Sequence, residues 1–257
     1  MLGAKYKTKE MKVINIRGVD RLEFGLDIED YAKEYKPILI ELEEKKAEGQ
    51  LEGKMQKIEY NNILLDVGMT GAKFYRYRTI CKDFMMLFSG KAVKEISKEI
   101  PVIRTILYSG YLWSYGYQEA YYNYLKWLSY FPGSIEKTRL SRLDICLDTD
   151  EVEFNEEDKE KFITRAKSKT THYVDESYSM GNKFSGFTIG RGKPMLVRIY
   201  NKTLEMQANN KEWLKHTWKE NGWDGKKAVW RIEFQLRREA LKELGIDQVE
   251  DYTAPMG

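Results

Sequence analysis

The stretch Arg142-Leu143-Asp144-Ile145-Cys146-Leu147-Asp148 constrains this chain most, because polar and apolar residues alternate in it at the period of a β-strand. Leu143, Ile145 and Leu147 are expected to face a core, with Arg142, Asp144, Cys146 and Asp148 facing outwards. Two carboxylates on one polar face call for a positive partner. A divalent metal ion is the natural candidate.

Two later strands repeat the pattern. In Trp230–Leu236, Trp230, Ile232, Phe234 and Leu236 alternate with Arg231, Glu233 and Gln235. In Val197–Lys202, Val197 and Ile199 alternate with Arg198, Tyr200 and Lys202. Placed in one sheet, the three strands would bring together Asp144, Asp148 and Glu233 with Arg142, Arg198, Arg231, Lys202 and Tyr200. Such a surface suits phosphate chemistry.

At 257 residues and 42% hydrophobic composition the chain is long enough for one large domain or two small ones. A mean hydropathy of −0.61 and the lack of a long apolar run argue against a membrane span, and Lys5, Lys7 and Lys9 are not followed by the apolar segment of a signal peptide. Cys81 and Cys146 have neither zinc spacing nor a disulfide pattern, which fits a reducing cytoplasm. With His172 and His216 as the only histidines, a His-x-His centre cannot be written. Any metal would be held mainly by oxygen, which favours magnesium or manganese over zinc.

The net charge is only +3, but its distribution is uneven. Thirteen Lys or Arg face five Asp or Glu between Lys183 and Arg238, while Asp148 to Glu160 holds eight acids against Lys159. A basic region beside acid-bearing strands suits a polyanionic substrate, although an ordinary solvated surface has the same composition.

Periodicity and turn residues predict an α+β fold with a predominantly antiparallel central sheet and helices on one face. Strands are expected at Leu22–Ile28, Gln56–Val67, Ala72–Cys81, Asp83–Phe88, Val102–Tyr108, Phe184–Gly190, Met195–Lys202 and Ala228–Leu236. The hairpin from Phe184 would turn at Arg191-Gly192-Lys193-Pro194. Helices are expected at Pro37–Ala47, Lys91–Glu99, Gln118–Tyr130, Asn155–Lys167, Leu204–Trp218 and Arg237–Leu244, and residues 168 to 183 read as a loop. Arg21-Leu22-Glu23 with Leu26-Asp27 echoes Arg142-Leu143-Asp144 with Leu147-Asp148, which suggests a pseudo-repeat of two strand-led halves, about 20–135 and 136–245, within a single domain. The aromatic residues from Tyr108 to Tyr130 fit a core better than a base-stacking platform.

Cleavage of a phosphodiester by tyrosine needs a phenol in line with phosphorus, a cation on the non-bridging oxygens and a group that takes the phenolic proton. Tyr200, flanked on its face by Arg198 and Lys202, has that chemistry. A strand tyrosine is more often a packing residue, and Arg142 and Arg231 are equally able to pair with the aspartates, so the coincidence of three strands decides the reading.

Ser141-Arg-Leu-Asp-Ile-Cys-Leu-Asp148, followed by Val197-Arg-Ile-Tyr-Asn-Lys202 and Val229-Trp-Arg-Ile-Glu-Phe-Gln-Leu236, resembles in order and spacing the Rep_trans family, the replication initiation factors of rolling-circle plasmids and related mobile elements. The resemblance implies a bacterial cytoplasmic nickase with an HUH-like or RRM-like core. Such an enzyme cuts single-stranded or hairpin origin DNA, becomes joined to the 5′ end and leaves a 3′-hydroxyl primer. It implies Tyr200 as nucleophile with Lys202 beside it, and Asp144, Asp148 and Glu233 as ligands of magnesium or manganese. Arg142, Arg198, Arg231, Arg191 and Lys193 would be phosphate contacts. It further implies a helicase and a second copy of the chain as partners, the latter through aromatic residues around Tyr111–Tyr121. The resemblance also implies a C-terminal origin-recognition region, and its counterpart is expected to be absent after the last strand. A relaxase of an integrative element, or an origin-binding protein that does not cut, would share these motifs.

Overall fold

The computed structural model describes residues 13–90, 100–175, 182–209 and 212–252. In chain order the elements are β1 (Asn15–Ile28), α1 (Tyr31–Glu34), α2 (Lys36–Glu52), β2 (Gln56–Tyr60), β3 (Ile63–Val67), β4 (Tyr77–Ile80), β5 (Phe84–Phe88), β6 (Ile103–Leu107), α3 (Ser109–Tyr115) and α4 (Tyr117–Leu128). There follow β7 (Ile135–Thr149), α5 (Asp158–Lys161), β8 (Lys169–Asp175), β9 (Asn182–Ile189), β10 (Met195–Asn201), α6 (Lys202–Asn209), α7 (Trp213–Glu220), β11 (Trp230–Arg237) and α8 (Arg238–Glu243). The fold is α+β with extensive antiparallel pairing. The helix expected at Lys91–Glu99 lies outside the described residues. Among the described residues no helix is long and apolar enough to cross a membrane.

The chain divides into two compact units. The larger takes Gly18–Ile145, Gly192–Met195 and the residues from Gln235 on; the smaller takes those up to Arg17, Cys146–Arg191 and Leu196–Phe234.

In the larger unit the strands lie in the order β2-β3-β4-β5-β6-β1-β7, with antiparallel ladders from β2 through β6 to β1. Leu22, Phe24, Leu26 and Ile28 of β1 enter one core with Ile38 and Leu42 of α2, Tyr121, Tyr124, Trp127 and Leu128 of α4, and Leu241 of α8. The helices therefore cover one face of this sheet, as the period-2 pattern requires. Phe24 and Phe84 meet Tyr121 and Tyr124 edge to face at 5.1 Å, so Tyr121 and Tyr124 are core and Tyr121 is not available as a dimer surface, whereas Tyr115, Tyr122 and Tyr130 are exposed. The single strand expected over Gln56–Val67 is a hairpin, because Asn61 and Asn62 take positive φ (44° and 61°) and close a two-residue turn. Pro37 starts α2 in its first turn, but the helix runs on to Glu52 and stops at Gly53, which is left-handed.

In the smaller unit the order is β7-β11-β10-β9-β8, with β8, β9 and β10 antiparallel. The expected loop at 168–183 contains β8, whose Lys169, Thr170, Thr171 and His172 read as polar surface but pair along β9. Only Asp158–Lys161 of the helix expected at Asn155–Lys167 is helical; Phe154 and Phe162 leave that period to pack on Phe187. The helix expected over Leu204–Trp218 is two, α6 and α7.

Tyr200 stands opposite Gly186 in the β9–β10 ladder. At φ 148° a Cβ on Gly186 would come within 2.6 Å of Tyr200 Cα and 2.2 Å of Ile199 O. Both neighbours are backbone, so a clash cannot be relieved by a rotamer change. Gly186→Ala is expected to lower stability by about 1–3 kcal/mol, read from the urea midpoint.

Candidate functional site

The polar faces of the signature strands are buried, contrary to expectation. Asp144, Asp148, Arg231 and Glu233 are at most 3% exposed, whereas Phe234, on the apolar side of β11, is 37% exposed. In the smaller unit one reason is clear. Trp218 of α7 reaches Asp148, and Lys202, expected at the end of a strand, instead opens α6 and turns inward with its own side chain buried.

Two clusters result in the smaller unit. In the first, Arg231 Nε and Nη2 donate to Asp148 Oδ1 and Oδ2 at 2.6 and 2.8 Å, and Trp218 Nε1 donates to Oδ2 at 2.9 Å. Both carboxylate oxygens are taken, and neither Asp148 nor Arg231 meets solvent. This is a structural ion pair, so Asp148 is not an open metal ligand and Arg231 is not a phosphate contact. The indole of Trp218 carried no signal in the sequence pattern.

The second cluster surrounds Tyr200. Its hydroxyl donates to Glu233 Oε2 at 3.0 Å, and Lys202 Nζ donates to Tyr200 Oη at 3.4 Å while pairing with Glu205 Oε2 at 2.6 Å. Arg198 Nη1 binds Glu233 Oε1 at 2.6 Å with 38% of its side chain exposed. β10 supplies Arg198 and Tyr200 by strand alternation, the next residue but one starts α6, and Glu205 follows Lys202 at the i,i+3 spacing that brings helical side chains together. A phenol thus lies between a carboxylate that can accept its proton and an ammonium that can stabilise its oxyanion, with a partly exposed guanidinium beside them. The sequence placed Tyr200, Glu233, Arg198 and Lys202 together; it missed Glu205, the partner of the buried Lys202 side chain. Arg191 and Lys193 are exposed in the hairpin turn, Arg191 roughly 16 Å along the strand from Gly186 and hence from Tyr200's row.

In the larger unit, Asp144 is held by Arg142 Nε and Nη2 at 2.7 and 2.5 Å. Glu23, 1% exposed, is held by Arg21 at 2.5 Å, by Arg104, and by Arg142 at 3.5 Å. Burial pushes the Glu23 carboxyl up, but Arg104 and Arg21 outweigh it and hold the group below the usual carboxylate range. Its contribution to stability is therefore complete above about pH 4.3 and lost as pH falls through the lower folded value. Glu23→Gln is expected to flatten the acid side of a plot of urea midpoint against pH.

No family model and no curated protein matches the chain. Among solved structures, that of the rolling circle replication initiator protein from Geobacillus stearothermophilus aligns with 89% of this chain and 77% of that one, at 16% identity and a TM-score of 0.48.

A divalent ion does not suit the acids as they stand. Asp144 and Asp148 each spend both oxygens on an arginine, Glu233 is shared by Arg198 and Tyr200, and among the described residues no three of His, Cys, Asp and Glu come together. Each of these carboxylates already accepts from an arginine, whose positive charge beside it opposes the approach of magnesium or manganese.

Proposed function

We propose that the chain is a tyrosine-dependent DNA strand transferase that nicks one strand at an origin and starts rolling-circle replication. The observation that supports this most directly is Tyr200 Oη held between Glu233 and Lys202.

Glu233 takes the phenolic proton as Tyr200 Oη attacks phosphorus, forming an O–P bond. The bond from phosphorus to the 3′-oxygen breaks, and that oxygen leaves as a hydroxyl after taking a proton from solvent water. Lys202 stays cationic throughout and offsets the charge on the phenolate. Arg198, the exposed cation of the cluster, binds a non-bridging oxygen and can exchange Glu233 for phosphate as the proton arrives on that carboxyl. The 5′ phosphate is left on Tyr200. Attack by a later 3′-hydroxyl reverses each step and rejoins the strand, so the linkage conserves the energy of the phosphodiester.

The test is incubation with single-stranded oligonucleotides covering the DNA of the source element, with magnesium, with manganese and with chelator, followed by denaturing electrophoresis. A protein band shifted by the mass of the 5′-downstream fragment, together with a free 3′-hydroxyl that a polymerase extends, is the expected result. Binding without any adduct under all three conditions would reject the enzyme reading in favour of an origin-binding protein. Glu233→Gln should slow adduct formation about 100-fold or more, since the proton acceptor is lost while the hydrogen bond to Tyr200 can still form.

A further inference from the structure

On the sheet face of the larger unit that is turned away from its helices, four arginines surround two carboxylates. Arg21 and Glu23 lie on the side of β1 opposite to Leu22, Phe24 and Leu26, and the ladder sets Gly25 of that same side against Arg104 of β6. Arg142 reaches Glu23 and Asp144 from β7. Arg237 extends from the end of β11, with Leu236 before it directed into the helix-side core. Arg21 and Arg104 are each 33% exposed, so the cluster is open to solvent.

Its charges do not balance. Glu23 and Asp144 together offset two of the four guanidinium groups, and both carboxylates are already engaged by Arg21, Arg104 and Arg142. Two cations are therefore in excess, and Arg237, unlike Arg21, Arg104 and Arg142, forms no ion pair with either carboxylate. Its Nε is buried with no hydrogen-bond partner, as is that of Arg104. Burial and the repulsion of Arg142 weaken its hold on its proton, with Arg104 adding to the repulsion, although Glu23 and Asp144 oppose this. A guanidinium placed against other guanidiniums, with donors unused, costs stability unless an anion completes the arrangement. Buried Glu23 fixes the neighbouring forks, and planar forks of fixed direction suit the oxygens of a phosphate.

We propose that Arg21, Arg104, Arg142 and Arg237 form a phosphate seat that binds one phosphodiester of a nucleic-acid strand. That the strand is the DNA cut by Tyr200 rests on the function proposed above; the seat itself does not depend on cutting.

The experiment uses the full chain carrying Tyr200→Phe, so that nothing is cleaved, and follows anisotropy of a fluorescein-labelled oligothymidylate across a series of salt concentrations. Arg237→Gln is expected to weaken binding about five- to tenfold and to lower the salt slope by about one, as loss of one phosphate contact does. Its melting temperature should stay level or rise, because a repelled cation has been removed. Arg76→Gln, which alters an exposed arginine paired with Glu43, is expected to leave affinity and slope unchanged. Inorganic phosphate should compete with the oligonucleotide for the parent but much less for Arg237→Gln. Unchanged affinity and slope in Arg237→Gln would overturn the seat, as would an equal loss in Arg76→Gln. Stabilisation by inorganic phosphate with no oligonucleotide binding would overturn the assignment to a strand. Failure of the cleavage assay leaves all of these readings intact, so the two ideas fall separately.

Discussion

Tyr200→Phe is expected to abolish the covalent DNA adduct altogether while the protein stays folded and still binds DNA. The phenyl ring keeps the shape of the side chain, and the change removes only the hydroxyl shared between Glu233 and Lys202. Loss of those hydrogen bonds should cost about 1 kcal/mol, too little to unfold the chain. Cleavage has no comparable reserve, because without the Oη there is no atom to form the bond to phosphorus. The decisive measurement is the adduct band with labelled oligonucleotide, set beside a thermal melt of the same preparation. An adduct that survives would pass the nucleophile's role to another residue, and Tyr173, whose hydroxyl contacts Glu156 at 2.5 Å, would be examined first.

Asp148→Asn is expected to have the largest effect on stability of any single change in the signature strands, about 3–5 kcal/mol. Asparagine keeps the shape, but it leaves the guanidinium of Arg231, which has no exposure to solvent, without its counter-charge. Guanidinium cannot escape by deprotonation, so the penalty falls on the folded state. Replacing both partners, as Asp148→Leu with Arg231→Met, should recover much of the loss, since the buried charge and its desolvation cost disappear together. Denaturant unfolding of the two single variants and the pair would measure this coupling. Were Asp148 chiefly a metal ligand, Asp148→Asn would instead be nearly silent in metal-free protein.

The sequence made the strands legible because each has one apolar side: Phe24 against Glu23, Leu143 against Asp144, Ile199 against Tyr200. The hairpin at Arg191–Pro194 and the helix stop at Gly245 were legible for the same kind of reason, a backbone requirement met by particular residues. What alternation cannot reveal is whether a polar side meets water. The polar side of β7 is covered at Asp148 because α7, much further along the chain, brings Trp218 onto it, and indole-to-carboxylate contact over so long a separation has no local pattern. Nor can alternation reveal that Asp144 and Asp148 are each held by an arginine fork. Arg142 and Arg231 are able to neutralise the aspartates on charge alone, and the fold is what brings each pair together. β8 was missed because its polar residues pair on a sheet flank without an apolar face of their own.

The way the larger unit is assembled from the chain affects its birth on the ribosome. Its core begins with Val19, Leu22 and Phe24 but is completed by Leu236, Ala240, Leu241 and Val249, and the whole of the smaller unit's Tyr200 machinery is synthesised in between. Until those last residues emerge, the apolar side of the early strands lacks part of its cover. Nascent chains stalled before Leu236 should thus be more open to protease and more dependent on chaperones than chains released after Val249. A premature stop in the final helix would then remove the protein by degradation rather than yield a shortened enzyme.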